Sequence, residues 1–324
     1  MSDRYGRQSV LPEVGAAGQA RLGAATVLVV GAGGLGCAVL QYLVAAGVGT
    51  LIVVDHDTVE ESNLHRQPLY RMSDLGQLKV QAARAALLAA NPAVRIDALA
   101  ERLSAANAPQ LAARAQLVID AADSLAVTYV LSDACQGSGL PLVSASVLGL
   151  AGYVGAFCGG APSYRAVFPD MPRTAGSCAA SGVLGSAVGV MGTLQAHLAL
   201  ALLLEWQPSV LGRLISVDFR TLHMGGFSFA GAPESSEAAL RFIAPEQVGA
   251  ADTVIDLRSL AETPVSPFAG AVRVDVEALE KAQLSLPHEA RIVLCCRSGV
   301  RAWRAARALQ SQGHANLALL AMGE

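Results

Sequence analysis

Residues 29–43 read VVGAGGLGCAVLQYL, and this stretch decides the fold. It completes TVLVV at 26–30, a run short, apolar and β-branched enough for a buried strand. Gly31, Gly33 and Gly36 follow with GxGxxG spacing, and an apolar helical pattern comes after them. The first glycine permits a tight turn, the second lets backbone approach a phosphate, and the third lets helix pack on strand. The helix start then offers unpaired N–H groups to an anion. Such a turn serves oxidoreductases that keep a dinucleotide intact and enzymes that cut ATP at its α-phosphate. The surrounding residues must choose between them.

Working outward, 50–54 (TLIVV), 94–98 (VRIDA), 116–120 (QLVID) and 141–145 (PLVSA) read as further short buried strands. Helical patterns separate them, notably GQLKVQAARAALLAA at 76–90, which Asn91-Pro92 ends. Strands alternating with helices imply right-handed crossovers and a mostly parallel sheet. The expected fold is therefore a doubly wound, Rossmann-like α/β domain with ligands at the carboxyl ends of its strands. After a Gly/Pro/Ser-containing linker the alternation restarts with TVIDL at 253–257, AVRVDV at 271–276, RIVLC at 291–295 and a helix from about 300. The expected division is a large domain over 1–230, a linker over 231–239 and a small α/β domain over 240–324.

The chain has 324 residues, is 53% hydrophobic and 15% charged, and carries a formal net charge of -3. A sizeable core is available, disorder is not expected, and without a basic run nucleic acid is not an expected partner. MSDRYGRQSV at the start lacks the apolar stretch of a signal peptide. Cys37, Cys135, Cys158, Cys178, Cys295 and Cys296 form no repeated C-x-x-C pairs, so a reducing cytoplasm is the expected location. The apolar run 184–204 is long enough to raise the membrane question, yet it holds Gln195, His197 and several glycines. A core or interface helix is expected there, and no membrane.

Asp55 ends the second strand, where a carboxylate can accept from ribose hydroxyls of either nucleotide. The choice lies in DHDTVEESNLHRQ at 55–67 and DLGQLKVQAA at 74–83. Chemistry at an α-phosphate needs cations on its non-bridging and leaving oxygens, and Arg66 and Lys79 suit that role. Asp123, just after QLVID, can hold Mg²⁺ through oxygen ligation. His56 and His65 are not required, because an attacking carboxylate is already deprotonated at neutral pH. Taken singly, Arg7 reads as a surface charge, Lys79 as a solvated helix face and Asp123 as a helix N-cap.

RYGRQ at 4–8, GAGGLG at 31–36, DHDTVEESNLHRQ, GQLKV at 76–80 and the aspartate of AADS resemble the ubiquitin-activating-type adenylyltransferases of the MoeB/ThiF group. The likeness extends over roughly 4–229. It implies that ATP and Mg²⁺ are used to adenylate the C-terminal glycine of a ubiquitin-like sulfur carrier protein. It also implies nucleotide contacts at Gly34, Asp55, Ser62, Asn63, Arg66, Lys79, Asp123 and Ser124, and a homodimer in which Arg7 reaches the partner's phosphates.

The chain departs from that family in places. ADS replaces the usual TDN, so Ser124 stands for an amide, and Thr128 occupies an arginine position. The cysteine pair that would begin a structural zinc site reads SYRA, with Ser163 and Ala166, and no cysteine follows DFRTLHMGGF until Cys295. Zinc is therefore expected to be absent, with apolar packing holding the region instead. Cys178, in TAGSCAASGVLGS, stands where the family keeps a cysteine above the nucleotide. Its expected role is a covalent link to the activated carrier or a disulfide partner in sulfur transfer, against the plainer reading of buried packing.

In the tail, RIVLCCRSGVRAWRAARALQSQG runs a buried strand into Cys296-Arg297-Ser298-Gly299-Val300-Arg301 and a helix. Loop amides and a helix start converging on one sulfur are expected to lower its pKa and stabilise a persulfide. This C-x-x-G-x-R loop, with VIDLR and FAGAVRVDV, resembles rhodanese-type sulfurtransferases over roughly 240–324. Cys296 is the expected sulfur carrier, Arg301 closes the loop, and Cys295 should face the core. The segment between Arg258 and Gly270 is short and is read as lacking the family's acidic and histidine features, and a final helix is expected to be missing.

Together these readings describe an adenylyltransferase and sulfurtransferase fed by a sulfur donor such as a cysteine desulfurase or thiosulfate. A carrier-binding scaffold without turnover and an NAD-dependent oxidoreductase are the alternatives.

Overall fold

The computed structural model describes residues 3–172, 182–234, 240–282, 286 and 290–323. Two short helices, α1 (Gly6–Ser9) and α2 (Gly15–Ala24), lead into β1 (Thr26–Val30) and α3 (Gly34–Ala46). Gly47, at φ +80°, ends α3 in the left-handed conformation, with no room for a side chain beside the Tyr5 ring. The chain continues through β2 (Thr50–Val54), α4 (Lys79–Ala90), β3 (Arg95–Leu99), α5 (Ala108–Ala112), β4 (Leu117–Asp120), α6 (Leu125–Ser138) and β5 (Pro141–Leu148). Each expected strand forms within about one residue, except that β5 runs three residues further, to Leu148. The α4 helix starts at Lys79 rather than 76, because Gly76 sits at φ +78° and Leu78 is extended.

Three strands then extend the sheet with reversed polarity. They are β6 (Ala151–Cys158) and, after α7 (Tyr164–Val167) and α8 (Gly185–Leu203), β7 (Arg213–Asp218) and β8 (His223–Ser228). The order is β3-β2-β1-β4-β5-β6-β7-β8, with β3 through β5 parallel and β5 through β8 antiparallel. A two-residue turn pairing Leu148 with Ala151 makes the reversal, with Gly149 at φ +60°. The expectation of a mostly parallel sheet holds for β3 through β5.

Helix α8 is long and apolar enough to cross a membrane by length and composition, but half of its apolar window is buried inside the protein. It lies against α3, where a side chain at Gly192 would meet the Leu35 carbonyl. Gln195, fully buried, donates through Nε2 to the carbonyls of Asp120 and Val143, the latter at 3.1 Å. That amide ties α8 to β4 and β5.

The second sheet comprises β9 (Arg241–Phe242), β10 (Thr253–Asp256), β11 (Val272–Arg273), β12 (Ile292–Cys296) and β13 (Leu317–Ala321). Its order is β11-β10-β12-β13-β9, all parallel, with α9 (Val276–Glu280) and α10 (Val300–Ser311) as its helices. The stretch expected as a strand at 271–276 narrows to two residues. One hydrophobic cluster runs from Leu28 and Tyr129 of the first sheet layer to Phe242, Leu294 and Trp303 of the second. The ring centroids of Tyr129 and Trp303 lie 4.9 Å apart, and Trp303 Nε1 and Arg307 Nε donate to Asp170 at 3.2 and 2.7 Å.

Candidate active site

The glycine turn sits between β1 and α3, at the carboxyl end of the parallel strands. Gly31 adopts φ +97°, and a Cβ there would stand 2.6 Å from the Ala121 carbonyl oxygen. A Cβ on Gly36 would stand 2.1 Å from the Gly31 carbonyl, so both positions require glycine. Gly33 is the N-cap of α3. Gly34 lies against Arg66, whose carbonyl and Cγ are 3.4 and 3.6 Å from where a Cβ would be. Arg66 and the glycine turn are thus brought together, and its Nη1 donates to the Ser62 carbonyl at 3.2 Å.

Lys79 departs from the surface reading of its helix. It is 5% exposed, and Nζ donates to Asp57 Oδ2 at 2.8 Å. Burial works against ionisation of Asp57, but the Lys79 ammonium outweighs it and holds the carboxyl below its ordinary range. Asp57 was not singled out in the sequence, although it lies two residues after Asp55. Asp55 already accepts from Ala32 N–H at 2.7 Å and Asp57 N–H at 2.8 Å, so it braces the turn while keeping lone pairs for a ribose. Ser62 and Asn63 form a short polar cluster with Glu60, and Gln67 Nε2 donates to Asn63 Oδ1 at 3.0 Å.

Asp123 is exposed between β4 and α6, and no hydrogen bond or ion pair joins its carboxylate to the described residues. Ser124, not Asp123, is the N-cap residue of α6. A free carboxylate at the strand ends fits the oxygen chemistry of Mg²⁺. Behind it lies Asp120, fully buried, accepting from Thr128 Oγ1 at 2.7 Å and Ser144 Oγ at 2.8 Å. Burial pushes its carboxyl up to about 6 despite those bonds. The departure at Thr128 thus gives a buried carboxylate a hydroxyl partner. Asp55, His56 and Asp57 bring three ligand atoms within 4.8 Å of one another, but both carboxylates are engaged elsewhere.

Arg7 is exposed on α1, whose Gln8 donates to the Ala46 carbonyl at 3.1 Å. That contact is at the far end of α3, a helix of 13 residues, about 20 Å from the glycine turn. Arg7 is therefore not gathered with Arg66 and Lys79 in its own chain. Cys178 lies outside the described residues.

Where zinc ligands would stand, the expected apolar packing is present, with Tyr164 against Tyr129, Phe157 and Phe168, and a polar set joins it. Ser163 caps α7, and its N–H and Oγ donate to Glu234 Oε1 and Oε2 at 2.7 and 2.6 Å. Arg165, 8% exposed, donates to Asp133 at 2.6 and 2.9 Å and to the Leu240 carbonyl at 3.0 Å. Its guanidinium carbon also lies 4.8 Å from the Tyr129 ring centroid and 5.6 Å from that of Trp303. A polar and cationic staple holds this region and reaches the second sheet.

In the tail, Cys296 ends β12, and the N–H groups of Gly299 and Ala302 donate to its Sγ at 3.1 and 3.4 Å. The convergence of amides on the sulfur is as expected, but its consequence is reversed. Cys296 is fully buried, and burial outweighs those donors, so the thiol is raised from its ordinary value. A side chain at Gly299 would meet the Phe242 ring at 2.7 Å and Ala126 Cβ of α6 at 3.4 Å, so the loop packs against α6. Cys295 is also buried, in a separate cluster on the opposite face of the sheet. Arg301 pairs with Glu262 and donates to the Leu257 carbonyl at 2.8 Å. Glu262 supplies an acidic partner in the segment where the sequence reading found none.

A glycine turn braced by a carboxylate, with a buried lysine and an arginine at the ends of parallel strands, defines a Rossmann-like α/β domain, here joined to a second sheet that presents a cysteine loop. The chain belongs to the ThiF family, which it matches over residues 5–238, and residues 241–323 match the rhodanese-like domain. It is 50% identical over 218 residues to the adenylyltransferase and sulfurtransferase MOCS3 of Bos taurus, covering 66% of this chain and 48% of that protein. It is 45% identical over 224 residues to the sulfur carrier protein adenylyltransferase of Thermus thermophilus, covering 67% of this chain and 83% of that protein. With the SAMP-activating enzyme E1 of Haloferax volcanii it shares 40% identity over 218 residues, covering 67% and 81%. The chain spans about half the length of the MOCS3 relatives it matches. Among solved structures, Escherichia coli MccB superimposes with a TM-score of 0.64 at 20% identity, covering 72% of this chain and 73% of that one.

Proposed function

We propose that this protein is an ATP-dependent adenylyltransferase and sulfurtransferase acting on a ubiquitin-like sulfur carrier protein. The observation that carries the reading is the placing of Arg66 beside Gly34, with the buried Lys79 ammonium held by the exposed Asp57 carboxylate just after Asp55. The carrier's C-terminal carboxylate oxygen attacks the α-phosphorus, the bond to the bridging oxygen breaks and pyrophosphate leaves. Arg66 and Lys79 balance charge on the phosphate oxygens, and the Gly33 and Gly34 backbone faces the phosphates. Mg²⁺ at Asp123 would supply further charge neutralisation. Ser62, Asn63, Asp55 and Ser124 would position the nucleoside and loop. Arg7, remote from its own turn, would complete the site of a second copy in a homodimer.

The mixed anhydride is then open to a persulfide on Cys296. Its outer sulfur attacks the carbonyl carbon and AMP leaves. A second thiol, for which Cys178 is the candidate, cleaves the S–S bond and releases the thiocarboxylate as a disulfide forms. A cysteine desulfurase or thiosulfate would supply the sulfur, in a reducing compartment such as the cytoplasm. Domain limits at 1–230 and 240–324 and the absence of zinc belong to the same reading, the latter supported by the Ser163–Glu234 bonds.

Carrier-dependent exchange of pyrophosphate into ATP tests the first half. Arg66→Ala and Asp123→Ala should abolish it, and unchanged exchange in both refutes the assignment. Cys296→Ser should leave exchange intact and remove sulfur transfer. A variant that still transfers sulfur removes Cys296 from the scheme.

A further inference from the structure

Ala32, inside the glycine turn, is held on both sides. Its N–H donates to Asp55 Oδ2 at 2.7 Å, and its carbonyl accepts from Tyr70 Oη at 2.6 Å, with Cys37 Sγ at 3.7 Å. Tyr70 is 5% exposed and follows Arg66 on the same segment. In a trans peptide the C=O and the next N–H point in opposite directions. Holding the Ala32 oxygen toward Tyr70 therefore turns the Gly33 N–H away from the Tyr70 ring.

The bonding around the turn makes this direction consequential. Backbone bonds run from Gly31 N–H to Val54 at 2.8 Å and resume with Cys37 N–H to Gly33 at 2.9 Å. The amides between them open α3, and a helix start leaves such N–H groups for a ligand. The 32–33 peptide turns about ψ of Ala32 and φ of Gly33, and Gly33 carries no Cβ to restrict it. Something outside the turn must select one orientation, and the buried phenol is placed to do so. Burial pushes the Tyr70 hydroxyl far above its ordinary value, so it remains a donor at any working pH.

We propose that Tyr70 is a positioning residue for the triphosphate: its hydroxyl locks the Ala32–Gly33 peptide so that the Gly33 amide faces the bound phosphates. This rests on the ATP reading above and assigns a role to a residue outside the cation set. Tyr70 would touch no substrate atom, so its effect should follow the phosphates and leave the nucleoside unaffected.

The test uses the full chain and two probes, Mg-ATP and adenosine, with affinities measured by calorimetry or competition. Tyr70→Phe should weaken ATP about tenfold and change adenosine less than twofold. In pyrophosphate exchange the KM for ATP should rise while kcat stays within about threefold. Unliganded thermal unfolding checks that the variant folds. If it does not, Tyr70→Met carries the same comparison. ATP affinity equal to wild type, or an equal loss for adenosine, overturns the proposal. If the wild-type chain itself binds no ATP, the functional reading fails first and this inference falls with it.

Discussion

Replacing Arg165 by methionine tests whether a charged staple has taken over where a metal would otherwise cross-link the chain. Methionine keeps most of the apolar stem but removes the guanidinium. The change breaks two bonds to Asp133, at 2.6 and 2.9 Å, and one to the Leu240 carbonyl at 3.0 Å. Removing one partner of a buried ion pair costs about 3–5 kcal/mol, because the other charge is left without compensation. The side chain of Asp133 is 28% exposed, so water can rehydrate it and the lower end applies. Loss of the cation–π contacts with Tyr129 and Trp303 adds roughly 1 kcal/mol. The expected destabilisation is about 4 kcal/mol, or roughly 6 °C in Tm at the usual unfolding entropy per residue for a chain of 324 residues. Urea unfolding followed by tryptophan fluorescence reads it directly, since Trp303 is one of only two tryptophans and lies in the affected contact. A loss below about 1 kcal/mol would place this pair with ordinary surface bridges and refute the reasoning. So would additive losses when Asp133→Asn is combined with it, because true partners must couple.

Three further outcomes follow from the geometry. Gly31→Ala should remove ATP-induced thermal stabilisation, since φ +97° and a 2.6 Å approach to the Ala121 carbonyl both oppose a side chain; an unchanged ligand shift contradicts it. Asp120 has a folded-state carboxyl near 6, raised by burial from an ordinary value near 3.8, so the folded state holds its proton more tightly across that window. Stability should fall as pH rises from about 4 to 6, and Asp120→Asn should flatten that slope in denaturation curves; an identical slope in the variant rules the account out. Cys296, buried and raised, should alkylate more slowly than free cysteine at pH 7 and faster as pH climbs. Asp170→Ala, which removes the acceptor shared by Trp303 Nε1 and Arg307 Nε of α10, should accelerate the labelling; equal rates by peptide mass spectrometry in both chains would show that docking does not shield the thiol.

The antiparallel strands β6, β7 and β8 escaped the sequence reading because their pattern is irregular. β8 is mostly exposed and β7 alternates imperfectly, so neither gives a continuous apolar run. β9 has two residues, too short for any periodic signal. Glu262 was passed over because its partner Arg301 is 39 residues away, and nothing local marks the pair.

What the sequence determined by itself was local in origin. Strand–turn–helix order and the glycines of the turn follow from periodicity and backbone freedom. Only the tertiary structure decided the electrostatic state of the site. It buried Lys79 against Asp57, 22 residues distant, and joined Ser163 to Glu234 across 71. It also closed the Cys296 loop against α6, which reverses the expected shift of that thiol. Burial and partnership set the free energy of a charge, and both depend on which distant segments pack around it.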